Sequence, residues 1–277
     1  MLAEFSQHGP CYRTTFRDNF VGWMTGSNNP SRARSRGGSF RLPRKPPRSP
    51  LLGRYVQCEP LNPTIHAAQL YQAGHGSDEA LRIWEYLPFG PWPDEVVFLA
   101  WLRNQAAAFD HIWFALRPHQ SKRAAGMASY LDIHPLDGVI EIGGIWFGTE
   151  LQRTRAATEA LFLLLSYAMD DLGYRRMQWR CNSLNVKSRN AARRLGFRFE
   201  GIFYNHMLSK GRNRDTAWYS ILDDEWPEAR EIIKAWLSSP PIVIMTVIGL
   251  LSARSPAVDT PLIAARSRLR EQVLSRS

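Results

Sequence analysis

Val139-Ile-Glu-Ile-Gly-Gly-Ile-Trp-Phe147 is the stretch on which the fold of this chain turns. It is an apolar, β-rich run with one carboxylate and two adjacent glycines inside it. His134-Pro-Leu-Asp-Gly138 precedes it, a turn of hairpin length that pairs it with the upstream run Gly126–Ile133. Glu150-Leu-Gln-Arg-Thr-Arg-Ala-Ala-Thr-Glu-Ala160 follows it and opens a long helix. That helix carries Ala157, Leu161, Leu164, Leu165, Ala168 and Leu172 on one stripe and stops at Gly173. A strand running into a helix start rich in cationic donors is a place to hold a pyrophosphate, because the first N–H groups of a helix have no partners within it.

Outward from this centre the pattern continues on both sides. Downstream come a strand at Met177–Cys181, a helix at Val186–Leu195, strands at Phe199–Leu208 and Asp215–Leu222, and a helix at Glu228–Leu237. Upstream, Tyr55, Gln57 and Glu59 alternate with Val56 and Cys58 as a first strand, and Pro63–Ala73 reads as a helix. Asp94 is placed to cap a helix reaching Ala108, and His111–Leu116 is a further strand. After a helical start the order is β-β-β-α-β-α-β-β, an α/β arrangement in layers.

Charge divides the chain into three. Residues 1–50 hold nine Lys/Arg against Glu4 and Asp18, and residues 238–277 hold five Arg against Asp259 and Glu271. The middle, 51–237, holds 21 basic and 21 acidic side chains, so the pI near 9.9 belongs to the ends. A neutral core argues against a nucleic-acid module there. Residues 26–50 are rich in Ser, Pro, Gly and Arg with little to bury, and read as a disordered basic leader. A solvated linker and an RNA-binding or localisation signal are both compatible with its PRKPPR run. The domain division is thus a leader at 1–50, a folded domain at 51–237 and a tail at 238–277. The apolar run Ile242–Leu251 in that tail is too short to span a bilayer.

Cys11, Cys58 and Cys181 form no C-x-x-C pair, and an odd number argues against a disulfide framework. A reducing, cytoplasmic setting follows, and the Arg-rich leader leaves a mitochondrial presequence as the alternative. The seven histidines make no close pair, so no metal site is expected.

Glu141 shares a strand face with Val139, Gly143 and Ile145. A carboxylate among apolar neighbours is desolvated, its pKa rises, and it can accept a proton near neutral pH. An edge Glu paired with an Arg is the other reading. Gly143-Gly144 mark a bulge, a close backbone approach or a plain kink. Asn185 suits a helix cap, with Ser188 three residues on. The aromatic loop Trp84–Trp92, with Trp84, Tyr86 and Phe89, and Tyr130 either line an acceptor pocket or pack as an aromatic cluster.

Taken together, VIEIGGIWF, the QRTRAATEA helix start, N-V-K-S at Asn185–Ser188, and Leu195-Gly-Phe197 followed by Phe199-Glu-Gly201 resemble the GNAT superfamily of acetyl-CoA-dependent N-acetyltransferases, in its RimJ/RimL-like branch. The likeness spans about 53–227. It implies a three-layer α/β/α sandwich around a mixed, mostly antiparallel sheet with a splayed parallel pair. It also implies that acetyl-CoA is the donor cosubstrate, with no metal. Gln152, Arg153, Thr154, Arg155, Ala156 and Ala157 would then hold the pyrophosphate, with Arg155 standing where the family usually has its first glycine. The backbone of Ile145, Trp146 and Phe147 would hold the pantetheine arm, joined by Asn185. Glu141 would be the base and Ser188 the acid at sulfur, since the place of the tyrosine used elsewhere in the superfamily is taken by Ala192. The acceptor implied is a small amine or a protein N-terminus. A GNAT-fold module that binds a CoA ester without turnover is the alternative that the missing glycine supports.

Overall fold

A computed structural model describes residues 42–239. An eight-stranded sheet runs through it: β1 (Leu51–Leu52), β2 (Val56–Pro60), β3 (Ile112–Pro118), β4 (Gly126–His134), β5 (Val139–Phe147), β6 (Arg176–Asn182), β7 (Arg198–Ser209) and β8 (Arg212–Leu222). The spatial order is β1-β2-β3-β4-β5-β6-β8-β7. Every neighbouring pair is antiparallel except β5 and β6. The mixed sheet with one parallel pair is the expected one. The parallel step exists because a helical crossover, unlike a two-residue hairpin, returns the chain in the same direction.

The helices are α1 (Pro63–His75), α2 (Asp78–Leu81), α3 (Glu95–Ala107), α4 (Arg155–Ser166), α5 (Val186–Arg194) and α6 (Trp226–Ser238). Their starts are set by local chemistry. Asn62, Asp94, Thr154 and Asn185 each accept a backbone N–H of the first turn. The crossover helix differs from its sequence pattern. The stripe predicts one α-helix to Leu172, but α4 ends at Ser166 and Tyr167–Asp171 form a π turn. Both Ala168 and Met169 stay buried through it, so the wider turn keeps the apolar stripe on the sheet.

Two apolar layers cover the sheet. On one face Ile140, Ile142, Met177, Trp179 and Tyr219 pack with Leu161, Leu164 and Leu165 of α4 and with Ile233 of α6. On the other, Trp113, Met127 and Trp146 pack with Leu70 of α1, Phe98 and Leu102 of α3, and Trp84. The chain before β1 is not all free leader. Pro43 and Pro46 are buried, the Arg44 N–H donates to Leu172 O at 3.2 Å, and Lys45 Nζ donates to Phe109 O at 3.1 Å. Residues 42–50 therefore strap onto the body that was expected to begin at 51. The rest of the expected leader, and the tail with Ile242–Leu251, lie outside the described residues.

Candidate active site

β5 and β6 pair only over Val139–Glu141 and Arg176–Gln178. Beyond that, β5 runs on to Phe147 and β6 to Asn182 with no ladder between them. The divergence begins at the double glycine. The β4–β5 register gains one residue on β5 between Gly143 and Trp146, and Gly144 sits at φ +61°. A Cβ there would lie 2.3 Å from the Trp113 ring, so the bulge needs glycine for both backbone angle and space. Past the bulge, Trp146 and Phe147 pair with Met127 and Gly126 of β4 on one side. Their other side opens on the wedge.

The turn after β5 is held tightly. Gln152 Nε2 donates to Phe147 O at 2.9 Å. Thr154 Oγ1 donates to Leu151 O at 2.7 Å and accepts the Ala157 N–H at 3.1 Å. Arg153 adopts φ +60° and is exposed. The N–H groups of Arg155 and Ala156 have no carbonyl one turn earlier to bond, as at every helix start, and the helix dipole adds positive potential there. Arg155 does not point its charge into that turn. Its guanidinium donates to Tyr55 Oη at 3.2 Å and to Ser239 O. The side chain ties α4 to the β1–β2 turn and to the end of α6, so in this turn the donors are backbone amides.

Glu141 is 2% exposed, on the face shared by Gly143 and Trp146. Burial pushes its carboxyl up to about 8, against the pull of Arg180 and with a further push from Asp132. Arg180 Nε lies 3.0 Å from Glu141 Oε2, yet that oxygen has no hydrogen-bond partner, so the contact is Coulombic and poorly aligned. The same guanidinium meets Asp132 Oδ2 at 2.8 Å and lies over the Trp218 ring at 5.2 Å. Asp132 occupies the second β4–β5 irregularity at φ +45°, a backbone state that Asp tolerates better than most residues. Thus the alternative of an Arg-paired Glu and the desolvated Glu hold at once. Sequence reading missed Asp132, Arg180 and Arg214. The period of two along β6 puts Arg180 on the face of Gln178, but only the Glu141–Gln178 register of the folded sheet makes that the Glu141 face.

Ser188 approaches from the opposite side. Its Oγ accepts from Trp179 Nε1 at 3.1 Å, and Trp179 belongs to the layer under α4. The hydroxyl accepts from the indole and also faces the buried Cys181 sulfur. Asn185 is the α5 cap, and it receives the backbone N–H of Ser188 at 3.0 Å, not the hydroxyl. Cap and hydroxyl are therefore separable.

The expected acceptor-lining set divides. Trp84 is 1% exposed, donates to Gly74 O at 2.8 Å and packs on Trp146. Tyr130 is 0% exposed, donates to Leu164 O and lies on the far face, opposite Ile142. Both are core residues, and the pocket reading is corrected for them. Tyr130 is one residue out of step with Leu131, which pairs with Glu141, and a strand turns that single step into the opposite face. Phe89 stacks on Trp92 and packs tilted against Trp101 and edge-on to Trp113. Tyr86 is half-buried at the end of the 3₁₀ turn Arg82–Tyr86.

A splayed parallel pair, a helix tip at its mouth and a raised carboxyl beside it form one constellation. The profile of the acetyltransferase (GNAT) domain matches residues 58–198. The chain belongs to the GNAT acetyltransferase family. Among solved structures, a GCN5-related N-acetyltransferase from Brucella melitensis is 44% identical, with TM-score 0.70 over 72% of this chain and 90% of that one. A protein assigned to GNAT acetyltransferases from Chromobacterium violaceum is 42% identical, with TM-score 0.64 over 68% of this chain and 93% of that one. YdaF of Bacillus subtilis, named by inference a ribosomal N-acetyltransferase, is 31% identical over 103 residues, 36% of this chain and 56% of its own length. The chain spans about half the length of the curated relatives it matches. Among the described residues no group of acidic, His or Cys side chains could hold a metal, and no helix is long and apolar enough to cross a membrane.

Proposed function

We infer that this GNAT chain transfers an acetyl group from acetyl-CoA to a primary amine by direct attack in a ternary complex. The observation that carries the reading is Glu141, a buried carboxyl raised to about 8, with one oxygen that no aligned hydrogen bond satisfies, where β5 and β6 part. A protonated ammonium has no lone pair to attack a thioester, so the acceptor must lose a proton at the site, and Glu141 takes it. The amine nitrogen then bonds to the carbonyl carbon as the carbon–sulfur bond breaks. A backbone N–H beyond the Gly144 bulge steadies the oxyanion, and the Ser188 hydroxyl gives its proton to the departing thiolate and takes back the second proton that the nitrogen sheds as the amide forms, so the serine ends as it began. Glu141 and Ser188 stand on opposite faces of the sheet, which suits a thioester lying in the slot between the strands. Holding both reactants there supplies much of the rate, without a covalent enzyme intermediate.

The first-turn amides around Gln152–Ala157 would take the pyrophosphate, and the unpaired side of Ile145–Phe147 and Asn185 the arm. The name of YdaF supports a protein N-terminus as acceptor alongside a small amine. Free, buried Cys58 and Cys181 suit a reducing, cytoplasmic setting. Thiol release from acetyl-CoA over a panel of amines tests the reading. Acceptor-dependent release supports it. Stabilisation by CoA without release under any amine would instead favour a binding module.

A further inference from the structure

Eight buried side-chain polar atoms have no hydrogen-bond partner among the described residues. Four of them, Glu141 Oε2, Trp146 Nε1, Arg214 Nε and Trp218 Nε1, stand on one face of β5, β6 and β8; Trp146 is packed into the core against Trp84, and the other three lie outside that cluster. The register shows this. Glu141 is level with Gln178, Arg180 with Trp218, and Asn182 with Thr216, so Arg214 lies two residues further along the same face. Of the helices on this side, α1 packs chiefly on β4 and α3 on β3. The β7–β8 tip reaches across toward them, with Lys210 Nζ donating to Trp84 O at 2.6 Å.

Arg214 is the unusual member. It is 7% exposed, and among the described residues no carboxylate lies within ion-pair distance of it, whereas Arg180 on the same face holds two. Glu141 acts on it only from beyond that distance, and a buried guanidinium with no close anion is costly. Outside the Trp84 cluster the unsatisfied set is two donors beside one carboxyl oxygen that Arg180 meets only in a poorly aligned contact. A guest that satisfies all three brings an N–H to Glu141 and oxygen to Arg214 and Trp218. Plain alkylamines and polyamines bring only the first.

We propose that the acceptor carries a carboxylate on the same molecule as its amine, and that Arg214 receives that carboxylate while Glu141 faces the amine. The proposal rests on the transferase reading above and names its substrate class. The carboxylate belongs either to a small amino acid or to an acidic side chain near a peptide N-terminus, and the chemistry at Arg214 is the same.

The test compares matched acceptors with the full chain and acetyl-CoA. β-Alanine is set against β-alaninamide, and the peptide Ala-Asp-amide against Ala-Asn-amide. At least one acidic member should exceed its neutral partner about tenfold or more in kcat/KM, the size expected for a charge-assisted pair. Which pair shows the gap identifies the source. Arg214→Met should bring that ratio to within about twofold of one, while Arg214→Lys keeps part of it. Equal rates for acidic and neutral partners in the native protein, or a ratio untouched in a folded Arg214→Met, would overturn the proposal and leave the transferase reading intact. Thermal shift with propionate against propionamide needs no turnover. Selective stabilisation by propionate, lost in Arg214→Met, supports the site even if no amine is acetylated, and its absence overturns it.

Discussion

Glu141→Gln removes a charge and a proton acceptor while keeping the side chain's shape, and the structure sets the size of two effects. With a carboxyl at about 8, the ionised fraction is roughly 1% at pH 6, roughly 10% at pH 7 and half at pH 8. The rate of the native protein should therefore climb roughly 50-fold between pH 6 and pH 8 and level off above that. The assay is thiol release with an acceptor whose own amine is neutral across the window, so that only the enzyme titrates. Glu141→Gln should lose the rising limb and fall about 10²–10⁴-fold at pH 8. Stability should move the other way. The folded carboxyl binds its proton more tightly than the unfolded one, so between about pH 4.5 and 8 the native state loses stability as pH rises, and the loss is complete above pH 8. The upper bound is on the order of 5 kcal/mol. Gln has no such slope, so the variant should match the native protein near pH 5 and melt on the order of 10 °C higher at pH 9. A rising limb that survives in Glu141→Gln, or a melting difference that does not grow with pH, refutes the reasoning.

Ser188→Ala leaves the Asn185 cap intact, because the cap uses the Ser188 backbone N–H, so a rate loss of about tenfold or more at unchanged CoA affinity reports the hydroxyl, and native rates would dismiss it. Arg155→Ala should leave CoA affinity within about threefold and lower the melting temperature by a few degrees, since its side chain binds Tyr55 and Ser239; a large affinity loss by calorimetry would put its charge back in the pyrophosphate turn. Gly144→Ala combines φ +61° with a 2.3 Å approach to Trp113, and should cost about 2–4 kcal/mol in chemical denaturation and weaken CoA binding; a native-like curve would show that the bulge does not need glycine. Glu159→Ala strands three N–H groups, those of Arg54, Tyr55 and Val56, and should lower stability by about 2–5 kcal/mol with little change in activity per folded molecule.

The sequence by itself determined the elements and their order, apart from the short β1 and α2 and the π turn that ends the crossover helix. VIEIGGIWF emerged as the strand Val139–Phe147, and Asp94 and Asn185 emerged as caps. These are local matters of side-chain period, turn residues and capping oxygens, which a chain carries wherever it goes. The Glu141 carboxyl was legible for the same reason, as a single charge inside an apolar strand. Tertiary structure alone decided which face each strand residue reached and which partner it met. It sent Tyr130 and Trp84 into the core, turned Arg155 toward Tyr55 and Ser239, and brought Asp132, Arg180 and Arg214 to Glu141 from other strands. Register and splay follow from bulges and from contacts between segments far apart in the chain. One residue of slip reverses a side chain's face, and no local pattern encodes that choice.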